Sequence, residues 1–195
     1  SNCPGEETAL LDLYRRLQPD HPKLRLVLVP RHVERAAEVA AEIETAGLRG
    51  IRKSIMNGAA TAPAPVEVLL VDTTGELKRF YAAADIVFVG KSLTQHGGQN
   101  LIEPAALGKP VIVGPNMENF RPVMADFLAA GAVVQVSDKA ALGAAIERLL
   151  RDPAARSVYA RLGHDLVQSK AGVVTATVNR IAETCPSLFT GVTGH

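Results

Sequence analysis

The chain has 195 residues, of which 47 % are hydrophobic and only 4 % aromatic, with no tryptophan. An interior built from Ala, Val and Leu suits helices packed on a parallel sheet and argues against a β-sandwich. A formal net charge of +1 excludes a whole-surface attraction to nucleic acid or acidic membrane, so an anionic ligand has to be held by a local cluster.

The two cysteines, Cys3 and Cys185, have neither zinc-ligand spacing nor a disulfide framework, which makes a reduced setting the default. No apolar run approaches the length needed to span a bilayer, and no signal peptide is visible.

Helix and strand alternate along the chain. Leu10, Leu11, Leu13, Tyr14 and Leu17 form a helical stripe over Glu6 to Leu17. Leu24 to Val29 reads as a strand covered on both faces, and Val33 to Ala46 as a helix closed by Gly47. Ile51 to Met56 is a weak strand, and Asn57 to Pro65 a Gly/Ala/Pro loop expected to be flexible. Val66 to Val71 is a buried strand, Glu76 to Ala84 a helix and Ile86 to Val89 a strand. Helices follow at Leu101 to Leu107 and Phe120 to Ala130, ended by Gly108 and Gly131, with strands at Val111 to Val113 and Val133 to Val136. Asp138 is placed to cap a helix over Lys139 to Arg151. Pro153 opens another helix, and a last one runs from Val173 to Thr184. The order predicts an α/β fold, a Rossmann-like, doubly wound parallel sheet of about six strands within one domain, residues 1–195, with helices trailing at its C-terminus.

In such a sheet ligands bind beyond the carboxyl ends of the strands. There the sequence places Pro30-Arg31-His32, Asp72 to Glu76, Gly90-Lys91-Ser92 running on to Gly97-Gly98-Gln99-Asn100, and Gly114-Pro115-Asn116. Gly97-Gly98 before a helix suits an anion, because glycine permits close backbone approach and helix-start N–H groups point outward. The same pair also serves as an ordinary tight turn. Asn100 and Glu103 have the spacing of a capping box, which competes with a role for Glu103 as acceptor of a ribose diol. Arg31 offers a guanidinium for phosphate or simply a solvated surface charge, and Lys91 and Ser92 are within reach of an anionic donor. His32 and His96 read as loop residues, and Glu6 and Glu7 as the acidic first turn of a helix.

The run Gly75 to Tyr81, Ala84 to Gly90, Gly97 to Ala106, Gly108 to Val111 and Gly114 to Asn116 with Asn119-Phe120 closely resembles the bacterial Kdo transferase family, which adds 3-deoxy-D-manno-octulosonic acid (Kdo) from CMP-Kdo to lipid A precursor. Pro30-Arg31-His32 and Pro4 to Glu7 are also similar to that family's C-terminal half. The resemblance implies the C-terminal, donor-binding half of a GT-B glycosyltransferase of lipopolysaccharide biosynthesis, lacking the N-terminal acceptor domain. It implies CMP contacts at Pro30, Arg31, Gly75, Glu76, Leu77, Asn100, Leu101, Ile102 and Glu103; Lys91, Ser92, Gly97 and Gly98 are further candidate donor contacts from their own place on the rim. It also implies no metal and no cofactor, since a helix N-terminus and basic side chains can stabilise the departing phosphate.

The family's catalytic base is a Glu of the N-terminal domain, so the resemblance puts no catalytic residue on this chain, which is expected to be soluble and inactive alone. Lipid A precursor, membrane contact and location at the cytoplasmic face of the inner membrane are implied only through the missing half. Lys91 stands where a second Gly is common, Gln99 where His is common, and Cys3 where His often precedes Pro-Gly-Glu-Glu. These departures are the support for an alternative, a non-enzymatic nucleotide-binding or scaffold domain of GT-B descent. A GT-B transferase using a UDP-sugar is a further alternative.

Overall fold

The computed structural model describes residues 5–56 and 66–184. Cys3, the loop expected at 57–65 and Cys185 lie outside the described residues. Helix α1 (Glu6–Leu17) is followed by β1 (Leu26–Leu28), α2 (Ala36–Thr45), β2 (Gly50–Arg52), β3 (Val68–Leu70), α3 (Leu77–Ala83) and β4 (Val87–Val89). Then come α4 (Ile102–Ala106), β5 (Val111–Val113), α5 (Arg121–Ala129), β6 (Val134–Gln135), α6 (Lys139–Arg151) and α7 (Pro153–Thr184).

All the described strands pair in parallel, as expected of strands separated by helices. The sheet itself is divided. One three-stranded sheet has the order β1-β3-β2, the other β4-β5-β6, and no pairing joins β1 to β4. β3 is central in the first, with Val68 opposite both Leu26 and Gly50. β5 is central in the second, and its Val111, Ile112 and Val113 are all fully buried. Alternation along β5 sends Ile112 into a core with Leu28, Val39, Ile43, Leu142 and Leu149, and Val111 and Val113 into a core with Leu101, Ala105, Met124 and Phe127. Helices therefore cover both faces, the doubly wound arrangement.

Three local expectations are corrected. The segment after β2 turns into a 3-10 helix, Lys53–Ile55, instead of continuing as a strand to Met56. Val33–Arg35 is likewise 3-10 before α2 begins. The last two expected helices are one, α7, 32 residues long. Gly172 lies just before the expected start of the last helix, but a single interior glycine costs only about 1 kcal/mol, too little to end a helix with good formers on both sides. Asp138 caps α6 as expected, accepting the Ala141 N–H at 2.9 Å.

Candidate functional site

The rim at the carboxyl ends of the strands is held together from below by two acidic residues at the start of α1. Glu6 is completely buried. Its Oε2 accepts the Lys91 N–H at 2.8 Å, and its Oε1 accepts the N–H groups of Ser92 and Leu93 at 3.1 and 3.0 Å. One carboxylate thereby fixes the loop after β4. Glu7, also completely buried, accepts from Arg35 Nη1 at 2.9 Å, beyond β1. Burial pushes the Glu7 carboxyl up from its usual range, against the pull of Arg35. A role as acidic first turn understates both residues: each ties α1 to a different rim loop.

The loop after β4 is braced internally. Ser92 is buried; its hydroxyl donates to the Val89 carbonyl at 2.6 Å and accepts the Gly114 N–H at 2.8 Å. Ser92 thus links the ends of β4 and β5, and its hydroxyl is occupied within the protein. Gly98 donates to the Lys91 carbonyl at 2.8 Å, closing the loop on itself. Gly97 donates to Glu118 Oε2 at 2.7 Å, while Glu118 Oε1 lies 2.8 Å from His96 Nδ1. Those contacts, His96 first and then backbone N–H groups, hold the Glu118 carboxyl down at about 2. The Gly97 N–H, a candidate in the sequence for an anionic ligand, is filled by a carboxylate of the protein. Glycine is required at both positions. Gly97 has φ 106° with Asn119 Nδ2 2.7 Å from where a Cβ would sit, and Gly98 has φ 67° with Met117 Sδ in the way.

Lys91 has φ 57°, the left-handed region, and is the non-glycine residue with positive φ among the described residues. This gives a physical reason for glycine at the position, since a Cβ there costs about 1 kcal/mol or more. Lys91→Gly should raise the denaturant midpoint, corresponding to about 0.5–1 kcal/mol, while Lys91→Ala should leave it near wild type. Equal effects of the two substitutions would show that the backbone carries no strain there.

Around α4 no capping box forms: the N-cap position falls on Leu101, without a side-chain cap bond, and Asn100, one residue further out, makes a local turn instead. Its Oδ1 accepts the Ile102 N–H at 2.9 Å. Glu103 does not reciprocate. Its carboxylate is half-buried and makes no hydrogen bond or ion pair with a described residue. It lies near Tyr81, whose hydroxyl is pushed up to about 12 by burial first and by the Glu103 charge second. Leu101 is fully buried in the core, so any ligand contact from it has to come from its backbone, whereas Ile102 is exposed.

Pro30 is buried just past β1, and Arg31 beside it is exposed, its guanidinium without a partner among the described residues. Gly75, at φ 81°, leads into α3, where Glu76 accepts from the Thr73 hydroxyl. Beneath that turn Asp72 receives Arg52 Nε at 2.8 Å and the Ser54 N–H at 2.8 Å. Burial opposes the charge on Asp72, but the bonds from Ser54 and Arg52 outweigh it and hold the carboxyl below its usual range. Arg31, Gly75 to Leu77 and Asn100 to Glu103 share a rim, and among the described residues no hydrogen bond runs from one of these three segments to another. Glu6, Glu7 and Glu118 are the rim residues that sequence reasoning passed over. The signal for the first two was their place in the Pro4 to Glu7 motif. Among the described residues no group of acidic, His or Cys side chains is placed to hold a metal, and no helix is long and apolar enough to cross a membrane.

A doubly wound α/β domain with its polar loops gathered on one rim is a nucleotide-binding architecture. The family model for glycosyl transferases group 1 matches residues 8–164, and the chain belongs to that family. Its likeness within the family is to 3-deoxy-D-manno-octulosonic acid transferases. It is 38 % identical to that of Bordetella pertussis over 94 % of this chain and 43 % of the relative. It is 36 % identical to that of Haemophilus influenzae over 87 % of this chain and 39 % of the relative. The crystal structure of the C-terminal CMP-Kdo binding domain of WaaA from Acinetobacter baumannii matches with a TM-score of 0.80 and 31 % identity, covering 86 % of each chain. The chain thus spans about two-fifths of the length of the curated relatives it matches.

Proposed function

We propose that this chain, residues 1–195, is a single domain that binds CMP-Kdo for an inverting transferase acting on lipid A precursor. The observation that carries the reading is its match to the CMP-Kdo binding domain of WaaA over 86 % of both chains. The chemistry of the rim supports it. Glu103 presents a carboxylate with no partner among the described residues, suited to accept two hydrogen bonds from a ribose diol. Arg31 presents an unpaired guanidinium, suited to the phosphate. The Gly75 to Leu77 backbone lines the cytidine side, and Pro30, Asn100, Leu101 and Ile102 shape the remainder through their backbone and the Asn100 turn. Lys91 and Gly98 lie on the part of the rim assigned to the Kdo moiety, and Ser92 and Gly97 hold that loop in place.

In the whole enzyme the acceptor hydroxyl attacks the anomeric carbon of Kdo with inversion, and the bond from that carbon to the phosphate oxygen breaks. CMP leaves with the electron pair, and the hydroxyl proton passes to a Glu of the N-terminal domain. The departing phosphate gains negative charge, which a guanidinium in the position of Arg31 stabilises. Acceptor binding and attachment to the cytoplasmic face of the inner membrane belong to that other half.

Calorimetric titration of the chain with CMP, UDP and ADP tests this reading. CMP should bind at least about tenfold more tightly than either competitor, a difference of about 1.4 kcal/mol. Preference for UDP points to a UDP-sugar transferase, and no nucleotide binding at all points to a scaffold domain.

A further inference from the structure

The loops after β4 and β5 are clasped together by their backbones. The Asn119 N–H donates to the Gly97 carbonyl at 3.2 Å, and the Asn116 N–H to the Ser92 carbonyl at 2.9 Å. Met117, between them, is buried against Gly98. The Glu118 side chain is not needed to join the two loops, yet it spans two donors of the first one. Its Oε2 accepts the Gly97 N–H at 2.7 Å, and its Oε1 lies 2.8 Å from His96 Nδ1. A carboxylate only accepts, so that ring nitrogen carries the proton.

Two donors matched to the two oxygens of one planar carboxylate make a carboxylate seat. The contact is open to solvent, with the His96 side chain 84 % and the Glu118 side chain 37 % exposed. A hydrogen bond at such a place exchanges readily with water, so Glu118 can leave at little cost. Lys91 adds a positive charge to the same loop. Its carbonyl accepts the Gly98 N–H at 2.8 Å, and its ammonium makes no hydrogen bond or ion pair with a described residue.

Kdo is a sugar acid. In CMP-Kdo its carboxylate is bonded to the anomeric carbon that carries the phosphate, whereas CMP alone has no carboxylate. We infer that His96 and the Gly97 N–H form the subsite for the donor's carboxylate, and that Glu118 is a built-in competitor which the donor displaces into water. This rests on the donor-site reading above and adds the residues that select the sugar. A nucleotide sugar without an acid group has nothing to put in place of Glu118. Competition from Glu118 lowers the apparent affinity for the donor in proportion to the time the seat is closed.

The test titrates the full chain with CMP-Kdo and with CMP, and reads the ratio of the two affinities. Glu118→Ala should raise the preference for CMP-Kdo by about fivefold or more, because the competitor is gone. Adding His96→Ala to that variant should lower the preference about tenfold, the loss of a charge-assisted contact. A preference that is unchanged in both variants, or lowered by Glu118→Ala, would overturn the subsite while CMP binding left the nucleotide site intact. Wild-type protein that binds neither ligand would defeat the donor-site reading and the subsite with it. A second measurement needs no variant. In the isotopically labelled wild type, the Glu118 side-chain carboxyl resonance should move on addition of CMP-Kdo and stay in place with CMP. A resonance unmoved by bound CMP-Kdo would show that Glu118 keeps the seat, against the inference.

Discussion

Glu6→Ala should lower folding stability by about 3–5 kcal/mol, the largest effect expected of any single substitution on this rim. The buried Glu6 carboxylate accepts three consecutive backbone N–H groups from Lys91 to Leu93. Removing it strands donors that water reaches poorly, at about 1–3 kcal/mol each where burial is complete. Glu6→Gln should recover only part of the loss. An amide has one acceptor oxygen, and its NH2 would point at an N–H group that also donates. Against a total stability of about 5–15 kcal/mol, the alanine variant should be partly unfolded at moderate denaturant. Urea midpoints for the three proteins decide the matter. A Glu6→Gln midpoint equal to wild type would mean that packing, and not the charged acceptor, holds the loop.

Glu103→Ala and Arg31→Ala should each weaken CMP binding by about 10- to 100-fold, the worth of one charge-assisted contact. Neither should change the urea midpoint appreciably, because neither side chain has a partner among the described residues. The separation from Glu6 is the informative part. One carboxylate serves the fold and the other serves the ligand, although both lie on the same rim. Glu103→Ala carries an internal control: the Tyr81 hydroxyl, raised in part by the Glu103 charge, should titrate at lower pH in the variant. A shifted Tyr81 with unchanged CMP affinity would remove Glu103 from the nucleotide site.

The elements were legible in the sequence where periodicity and caps agreed. Glu6–Leu17 and Lys139–Arg151 have the expected bounds, because an apolar stripe and, in the second, the Asp138 cap mark them unambiguously. What lay beyond the sequence was non-local. Nothing near Glu6 in sequence says that its partners are 85 to 87 residues away. The split between β1 and β4 is equally invisible, since each strand alone has the expected apolar run. Gly97 shows the limit on chemistry. A glycine before a helix signals a free N–H for an anion, and the sequence could not reveal that Glu118 would supply the anion. Lys91 shows the reverse case. A departure noted only as a difference in residue type became a statement about φ once the backbone was seen.

The most direct test of the donor-site reading is to follow backbone amide shifts of the isotopically labelled chain during titration with CMP. Saturable shifts are expected at Arg31, at Gly75 to Leu77 and at Asn100 to Glu103, absent or much weaker in Glu103→Ala. Shifts gathered instead along β1 and β4, or none at saturating CMP, would contradict it.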